Sequence, residues 1–441
     1  MTQQQTSHVR WLLVSWMFVV SAIAYLDRVN ISIAGPTITK EFHLTNIQLG
    51  WIFGAFSLGY AIFQTPGGSL ADHLGPRWIL TAGVVWWGLF TSLTALIPPI
   101  GSALVSFICL RFLLGAGEAV VYPASNNVVA NWVPSEERGI ANGLIFAGVG
   151  VGAGVTPPFI AFIMTHYGWR WSFWGSTLLG FAAGAVWFLI ARDSPERHLW
   201  VSKSELDHIR ASTEDKTTCH VSSTPWLAIV RSREIRAITL SYFCYCYVAY
   251  IFFTWFFIYL TVVRGLDVQS GAIYTMLPFL AMAFCSPLGG VICDAITRRH
   301  GKRIGRCGVA AGSIGLATIM IVIGSTASNP HAASIALASG VGALYLSQSS
   351  YWSVSADVAG AWAGTVSGTM NTGGQIGGAL TAVAFPAIAS HFGWSASFLT
   401  AAALCVIGSL LWLAVDPDHS IVPPMTKAES LHSTAESFRT S

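Results

Sequence analysis

The sequence predicts an all-α polytopic membrane protein, with twelve transmembrane helices in two parallel-related six-helix bundles. Three observations predict it. Only 10% of the 441 residues are Asp, Glu, Lys or Arg, against about 25% in an ordinary soluble domain. Long apolar runs alternate with short polar loops along the whole chain. The second half of the chain repeats part of the first in register.

Composition excludes other classes. A soluble surface this poor in charge would aggregate, which argues against a water-soluble enzyme of two or three domains. The mean hydropathy of +0.59 agrees, as do 18 Trp and 43 Gly, residues favoured at membrane interfaces and within membrane helices. Net charge is only +3, with no basic block suited to nucleic acid. Most of the eight Cys lie inside apolar stretches, and no CxxC pair or Cys/His cluster has metal-ligand spacing. Buried, inert thiols are expected, with no metal and no cofactor.

A helix needs roughly 20 apolar residues to cross the hydrocarbon core. Twelve runs meet this: 11–33, 48–70, 79–99, 103–130, 138–164, 172–192, 237–262, 268–294, 305–325, 331–356, 363–389 and 395–415. The first is too long for a signal-peptide core and carries Asp27 and Arg28, so it reads as a retained helix. With both termini cytoplasmic, 18 of the 23 Lys and Arg fall on the cytoplasmic side and three, Lys40, Arg170 and Arg264, on the other. That asymmetry places a multi-pass protein in an inner or plasma membrane with both ends inside. The polar stretch 193–236 separates an N-terminal bundle (1–192) from a C-terminal one (237–416). Within it, 203–210 has the pattern of an amphipathic surface helix, and the rest reads as solvated linker. The Ser-, Thr- and His-rich tail 417–441 has no apolar period, and disorder is expected there.

The repeat is ungapped over two spans. Gly139, Gly143, Gly148 and Gly152 recur as Gly364, Gly368, Gly373 and Gly377, and HYGWRWSF (166–173) recurs as HFGWSASF (391–398) at the same displacement. Earlier, GSLAD (68–72) answers GVICD (290–294). Two bundles of the same topology are therefore related by an axis along the membrane normal, an arrangement that places a substrate site near the midplane. The glycines at four- and five-residue spacing are assigned to close helix packing.

Four charges lie deep inside apolar spans: Asp27 and Arg28 on the first, Arg111 and Glu118 on the fourth. Each costs roughly 2.5–3.5 kcal/mol at a helix centre, so they line a wet cavity or pair with each other. Two readings are open, a structural ion-pair network bracing helices one and four and a transport pathway, and spacing favours the second. Arg111, Gly115, Glu118 and Tyr122 form one helical stripe; Ser21, Tyr25, Arg28 and Ser32 form another, continued by Ser57, Tyr60 and Gln64 on the second span. Asp27 lies about 100° round the helix from Arg28, so Arg28 faces the centre and Asp27 an adjacent helix, the fourth being one candidate. The C-terminal half offers neutral groups instead: Tyr242, Tyr245, Tyr250, Trp255 and Tyr259; Tyr345, Gln348, Ser349 and Trp352; Ser367, Asn371 and Gln375. A cationic wall facing hydroxyls and amides suits a small anion that also carries hydrogen-bonding groups.

These features resemble the major facilitator superfamily over all twelve spans. GSLADHLGPR (68–77) matches its signature G-x-L-[AS]-D-R-x-G-x-R, with His73 in place of a basic residue and Pro76 before Arg77. The resemblance implies a gating loop in which Asp72 braces the neighbouring helix, with Arg77 beside it and Asp294 as the counterpart of Asp72 in the second half. YLDRVNIS (25–32), RFLLGAGEAVVYPA (111–124) and YIFFTWFFIYL (250–260) are similar to the anion:cation symporter family, which includes proton-coupled permeases for galactonate, hexuronates and glucarate. That resemblance implies Arg28 and Arg111 for the substrate carboxylate, Asp27 and Glu118 for protons, and Tyr25, Tyr60, Trp352 and Asn371 as pocket contacts. Val149 and Gly150 replace a polar contact on the fifth span, and Phe257 stands where W-x-P-x-Y-L has Pro, so a more apolar pocket is expected.

Because Arg stays protonated, the proton must ride on a carboxylate. An ionised Asp27 or Glu118 pairs with Arg28 or Arg111 and occupies it; protonation releases the guanidinium for the substrate. The expected function is uptake of a small organic anion by proton symport, by a monomer in a lipid bilayer. The competing readings are an efflux antiporter and an organic-anion exchanger or uniporter without proton coupling. GVGVGAGVTPP (148–158) lacks the G-x-x-x-x-G-P-x-x-G-G order that efflux antiporters carry. No nucleophile–base motif or phosphate loop points to an enzyme.

Overall fold

The computed structural model describes residues 7–98, 101–211, 226–256, 259–266 and 268–419. Among these the chain is helical and contains no strand. The N-terminal half holds α1 (Val9–Glu41), α2 (Asn46–Leu74), α3 (Pro76–Ala95), α4 (Ala103–Glu118), α5 (Val121–Trp132), α6 (Arg138–Tyr167) and α7 (Trp169–Ile190). Two short helices follow, α8 (Lys203–Ala211) and α9 (Trp226–Arg231). The C-terminal half holds α10 (Arg233–Thr254), a π-helical turn Tyr259–Val263, α11 (Val268–His300), α12 (Val309–Thr326), α13 (Pro330–Leu346), α14 (Gln348–Ala359), α15 (Ala363–Phe392) and α16 (Trp394–Leu411). Phe257, part of the linker and the tail from residue 420 fall outside the described residues.

Nine helical stretches among the described residues are long and apolar enough to cross a membrane. The second, tenth and eleventh predicted spans coincide with α2, with α13 followed by α14, and with α15, whose Gly, Ser, Thr and Gln lower hydropathy without shortening the helix. Helices run past the predicted spans: α1 and α11 have 33 residues each, more than the roughly 20 that hydrocarbon requires. Large apolar side chains such as Leu58, Trp78, Val105, Leu178, Phe284, Ile319, Val383 and Leu410 stay exposed. In water this would be an aggregating surface; against lipid tails it is the expected one.

Two spans read as single helices are broken. The fourth stops at Glu118 and restarts at Val121, and the tenth breaks at Ser347. The Ala119 carbonyl exposed by the first break accepts a 2.7 Å bond from Gln64 Nε2, so the Gln64 amide nitrogen serves the helix break. Discontinuous helices in corresponding positions of two halves are a mark of transporter binding sites. The repeated HYGW and HFGW are the same single-residue turn. Gly168 (φ +87°) joins α6 to α7, and Gly393 (φ +85°) joins α15 to α16, a left-handed backbone that a side chain would strain.

The halves meet along α6 with α11 and along α2 with α15. In each glycine quartet the first two residues face the opposite half. A Cβ on Gly139 would lie 2.9 Å from the Gly290 carbonyl, and one on Gly364 2.6 Å from the Gly68 carbonyl. The last two face the first helix of their own half: Gly148 meets Phe18 O of α1, and Gly377 meets Phe243 O of α10. A carboxylate sits beside each inter-half contact. Asp72 accepts from Gly364 N (2.9 Å), Thr365 N (2.7 Å), Thr365 Oγ1 (2.7 Å) and Asn127 Nδ2 (2.6 Å). Asp294 accepts from Gly139 N (2.9 Å), Ile140 N (2.7 Å) and Arg306 Nη1 (2.8 Å). Both carboxylates thus cap the N-terminus of a helix in the other half, where the dipole and free N–H groups favour an anion.

This clasp lies at the end of the molecule from which α1 starts and to which the inter-half segment returns, called the linker end below. Arg138 Nη1 adds a 2.6 Å bridge to Asp357 across the halves. Arg306 Nε and Lys302 Nζ stand 3.5 and 3.8 Å from the same carboxylate. The predicted amphipathic helix is α8, and its buried face carries Glu205 beside the apolar Ile209. Glu205 accepts from Ser7 Oγ (2.5 Å), Val9 N (3.1 Å), Arg10 N (3.2 Å) and Arg10 Nη1 (3.1 Å), so the linker's first part caps α1.

Candidate functional site

Between the halves lies a narrow cavity, nearly filled by its own side chains, with ≈ 30 Å³ of room for water. The N-terminal half lines it with Tyr25, Arg28, Tyr60, Tyr122, Phe146 and Val149. The other half contributes a stripe of α10 (Tyr242, Tyr245, Cys246, Ala249, Tyr250, Phe253) with Tyr345, Gln348, Asn371 and Gln375. The lining is that of a small-molecule site, largely aromatic with a few polar groups.

Arg28 is the one charged residue among the described residues that line it. Its Nε donates to Glu118 Oε1 at 2.5 Å, and its Nη1 reaches Tyr25 OH at 3.5 Å. The guanidinium carbon lies 4.2 Å from the Tyr60 ring centroid, 4.8 Å from Tyr25 and 5.1 Å from Phe56. Three aromatic rings within cation–π range hold the planar group in place. Arg28 Nη2 and Glu118 Oε2 are buried with no hydrogen-bond partner. The pair is half-satisfied, with donor capacity left on the guanidinium edge and acceptor capacity left on the carboxylate. Bracing and lining thus meet in one residue: Arg28 ties α1 to α4 and also borders the cavity.

The other deep charges stand behind this wall. Arg111 is buried, with its guanidinium carbon 4.8 Å from the Phe56 centroid and its Nε unpartnered. Phe56 therefore contacts both cations. Asp27 is buried and turns toward α3 and α7, beside the Trp87 indole and the Ser176 hydroxyl. Neither of its carboxylate oxygens has a partner in hydrogen-bond geometry. The fourth span was one expected neighbour, and its Glu118 and Arg111 lie within electrostatic reach of Asp27, while the 100° offset from Arg28 turns the carboxylate toward α3 and α7 as well. In the same layer Asn30 Nδ2 donates to Ser176 Oγ at 3.1 Å and Ser172 Oγ donates to Asn30 Oδ1 at 2.8 Å.

Of the pocket contacts expected, Tyr25, Tyr60 and Asn371 line the cavity and Trp352 does not. Trp352 is buried one layer back, its ring 4.9 Å from Phe146 and 5.8 Å from Tyr122, with Nε1 unpartnered. Ser21 Oγ and Tyr122 OH are 2.9 Å apart, which joins the stripes of α1 and α5. Gly115 serves α2–α4 packing, since a Cβ there would lie 3.0 Å from Tyr60 N. Arg77 does not reach the opposite half. Its Nε and Nη2 donate to the Phe188 carbonyl (3.1 and 2.9 Å) and its backbone N–H to Asp193 Oδ1 (3.0 Å), fastening α3 to the end of α7. Tyr250 OH donates to Gln375 Oε1 at 2.8 Å. Cys246, expected to be an inert core thiol, lines the cavity. Its place in the run Tyr242, Cys246, Ala249, Phe253 (i, i+4, i+7, i+11) is the signal that would have found it.

Comparison with known proteins agrees with this architecture. The chain is 34% identical over 431 residues to a probable sulfoacetate transporter of Cupriavidus necator, covering 96% of this chain and 98% of that protein. It is 30% identical to the hexuronate transporter of Bacillus subtilis, covering 90% and 92%. Among solved structures, a proton:xylose symporter of the major facilitator superfamily superposes with a TM-score of 0.74 at 14% identity, covering 90% of this chain and 94% of that one, a likeness of fold. The description Major Facilitator Superfamily matches residues 17–382. The chain is a multi-pass membrane transporter, not an enzyme, and it belongs to the Major Facilitator Superfamily, with anion transporters among its relatives.

Proposed function

We propose that this transporter takes up a small organic anion, a sugar acid or related carboxylate or sulfonate, by proton symport with alternating access. It works as a monomer in the plasma (inner) membrane, with the linker end and both termini in the cytoplasm. The observation that carries this reading is Arg28, a cation bordering the cavity between the halves, boxed by aromatic rings and shared with Glu118 at 2.5 Å. The names of the relatives from Cupriavidus necator and Bacillus subtilis, for sulfoacetate and hexuronate, support an organic acid. The excess of Lys and Arg at the linker end supports the orientation.

Glu118 is the proton switch. As a carboxylate it occupies Arg28; protonated, it releases the guanidinium for the substrate. Asp27 is the second proton site, a buried carboxyl whose charged form would lack a partner. Arg111, across Phe56 from Arg28, adds positive potential for the anion. Loading runs proton first and anion second, and the empty carrier returns with its internal pair restored. The clasp of Asp72 and Asp294 is the cytoplasmic gate, closed in this conformation, and Arg77 acts as its support within the N-terminal half.

Proteoliposomes offered labelled carboxylates and sulfonates, with and without an inward proton gradient, test the proposal. Accumulation above equilibrium only with the gradient is expected. Equal uptake in both conditions, or exchange alone, would favour an exchanger or uniporter. Resistance to apolar cationic drugs without any anion uptake would favour efflux.

A further inference from the structure

The two walls of the cavity carry different chemistry. Formal charge among the described lining residues is confined to Arg28 on the N-terminal wall. The opposite wall is neutral, and the buried C-terminal charges Asp294, Arg306 and Asp357 are engaged in the clasp at the linker end. Tyr242 and Tyr245 stack with centroids 5.2 Å apart and planes 9° apart, so two phenols stand side by side on α10. Gln348 Nε2 donates to Tyr242 OH at 3.1 Å, which leaves the Tyr242 proton to donate elsewhere and Gln348 Oε1 without a partner. Turning the amide over gives the same inventory of one free donor and one free acceptor. The Tyr245 hydroxyl is also buried, with no partner in hydrogen-bond geometry and the Tyr345 phenol beside it. Three polar side chains, each more than nine-tenths buried, thus line one wall with unused hydrogen-bonding capacity.

We propose that Tyr242, Tyr245 and Gln348 form a subsite for the uncharged, oxygen-bearing end of the substrate, so that the carrier selects hydroxylated monoanions over dianions of the same skeleton. The inference rests on the reading of Arg28 as the anion site. A substrate hydroxyl both donates and accepts, which matches phenol donors beside an amide acceptor. A second ionised carboxylate or sulfonate placed there would lose its water with no counter-charge in reach. Arg28, already shared with Glu118, holds one anionic group.

The test uses the purified full chain in detergent at pH 7.5, with thermal-shift titrations of matched probes: gluconate against glucarate, galacturonate against galactarate, and 2-hydroxyethanesulfonate against sulfoacetate. In each pair that shifts the transition, the monoanion is expected to half-saturate at a concentration at least about tenfold lower. Tyr245→Phe keeps the ring and is expected to raise that concentration about five- to tenfold, as loss of one hydrogen bond implies. A dianion that binds as tightly as its monoanion, or an unchanged Tyr245→Phe, overturns the subsite and leaves the anion carrier standing. Failure of every probe to shift the transition, while a neutral or cationic solute does, overturns the anion reading and this inference with it.

Discussion

Glu118 and Arg28 are bonded at 2.5 Å across two helices, yet Glu118 Oε2 and Arg28 Nη2 are left without partners in the same buried layer. A pair whose only task was bracing would use both oxygens and the whole fork, since buried polar groups are normally satisfied. The unused atoms are what an anion and a proton would engage.

Arg28→Lys keeps the charge and removes the planar fork that lies 4.2 Å from the Tyr60 centroid. Lys is not equivalent at a stacked, bidentate site. Apparent KM for the transported anion is expected to rise at least about tenfold, with protein abundance unchanged. A KM within twofold of wild type would remove Arg28 from the site.

The two caps of the clasp should behave alike. Asp72→Ala and Asp294→Ala each remove a carboxylate that accepts two backbone N–H bonds from the opposite half. Loss of such a cap costs about 0.5–2 kcal/mol, enough to shift the populations of the two ends severalfold. A single cysteine introduced into this seam should react faster with a membrane-impermeant thiol reagent in either variant. Unchanged labelling would mean that the caps do not hold this end closed.

Close approach is equally testable. At Gly364 a Cβ would lie 2.6 Å from Gly68 O and 2.8 Å from Asp72 Oδ1, whereas at Gly154 it would meet nothing within 4 Å. Gly364→Val should abolish uptake and Gly154→Ala should leave it intact. Normal transport by Gly364→Val would show that the halves need not close here.

At the linker end, burial raises the Glu137 carboxyl, but bonds from Arg10 (2.9 Å) and His208 (3.2 Å) hold it below its ordinary range. A carboxyl held low in the folded state contributes stability above its unfolded pKa, and that contribution fades as pH falls through the folded one. Because Glu137 is partly exposed, the contribution is under about 1 kcal/mol. Glu137→Gln should therefore melt slightly lower than wild type at pH 7, and the difference should vanish once the carboxyl is protonated in both states. A difference that grows with acidification would contradict the assignment.

Much of this was legible in the sequence, for reasons that also mark the limit. Helical stripes placed Arg28, Tyr25 and Tyr60 at the centre because side-chain direction follows the 3.6-residue period. The glycine repeat announced close packing, but spacing alone could not say that Gly139 meets the opposite half while Gly148 meets α1. Asp27 was separable from Arg28 by angle, yet its neighbours Trp87 and Ser176 come from helices that periodicity does not order in space. The Arg138–Asp357 bridge joins residues more than 200 positions apart, and no local pattern links them. The break after Glu118 carries a signal in Pro123, which has no N–H for the Ala119 carbonyl four residues back and leaves it to Gln64; the break at Ser347 has no Gly or Pro beside it, and no local pattern announces it.

The central claim is that proton binding at Glu118 releases Arg28 for the anion. The most direct measurement compares gradient-driven accumulation with counterflow in proteoliposomes of wild type and Glu118→Gln, each normalised to reconstituted protein. The account predicts that Glu118→Gln retains counterflow, because Arg28 is permanently released, and loses accumulation above equilibrium, because no proton is coupled through this site. Full gradient-driven accumulation by Glu118→Gln would contradict it.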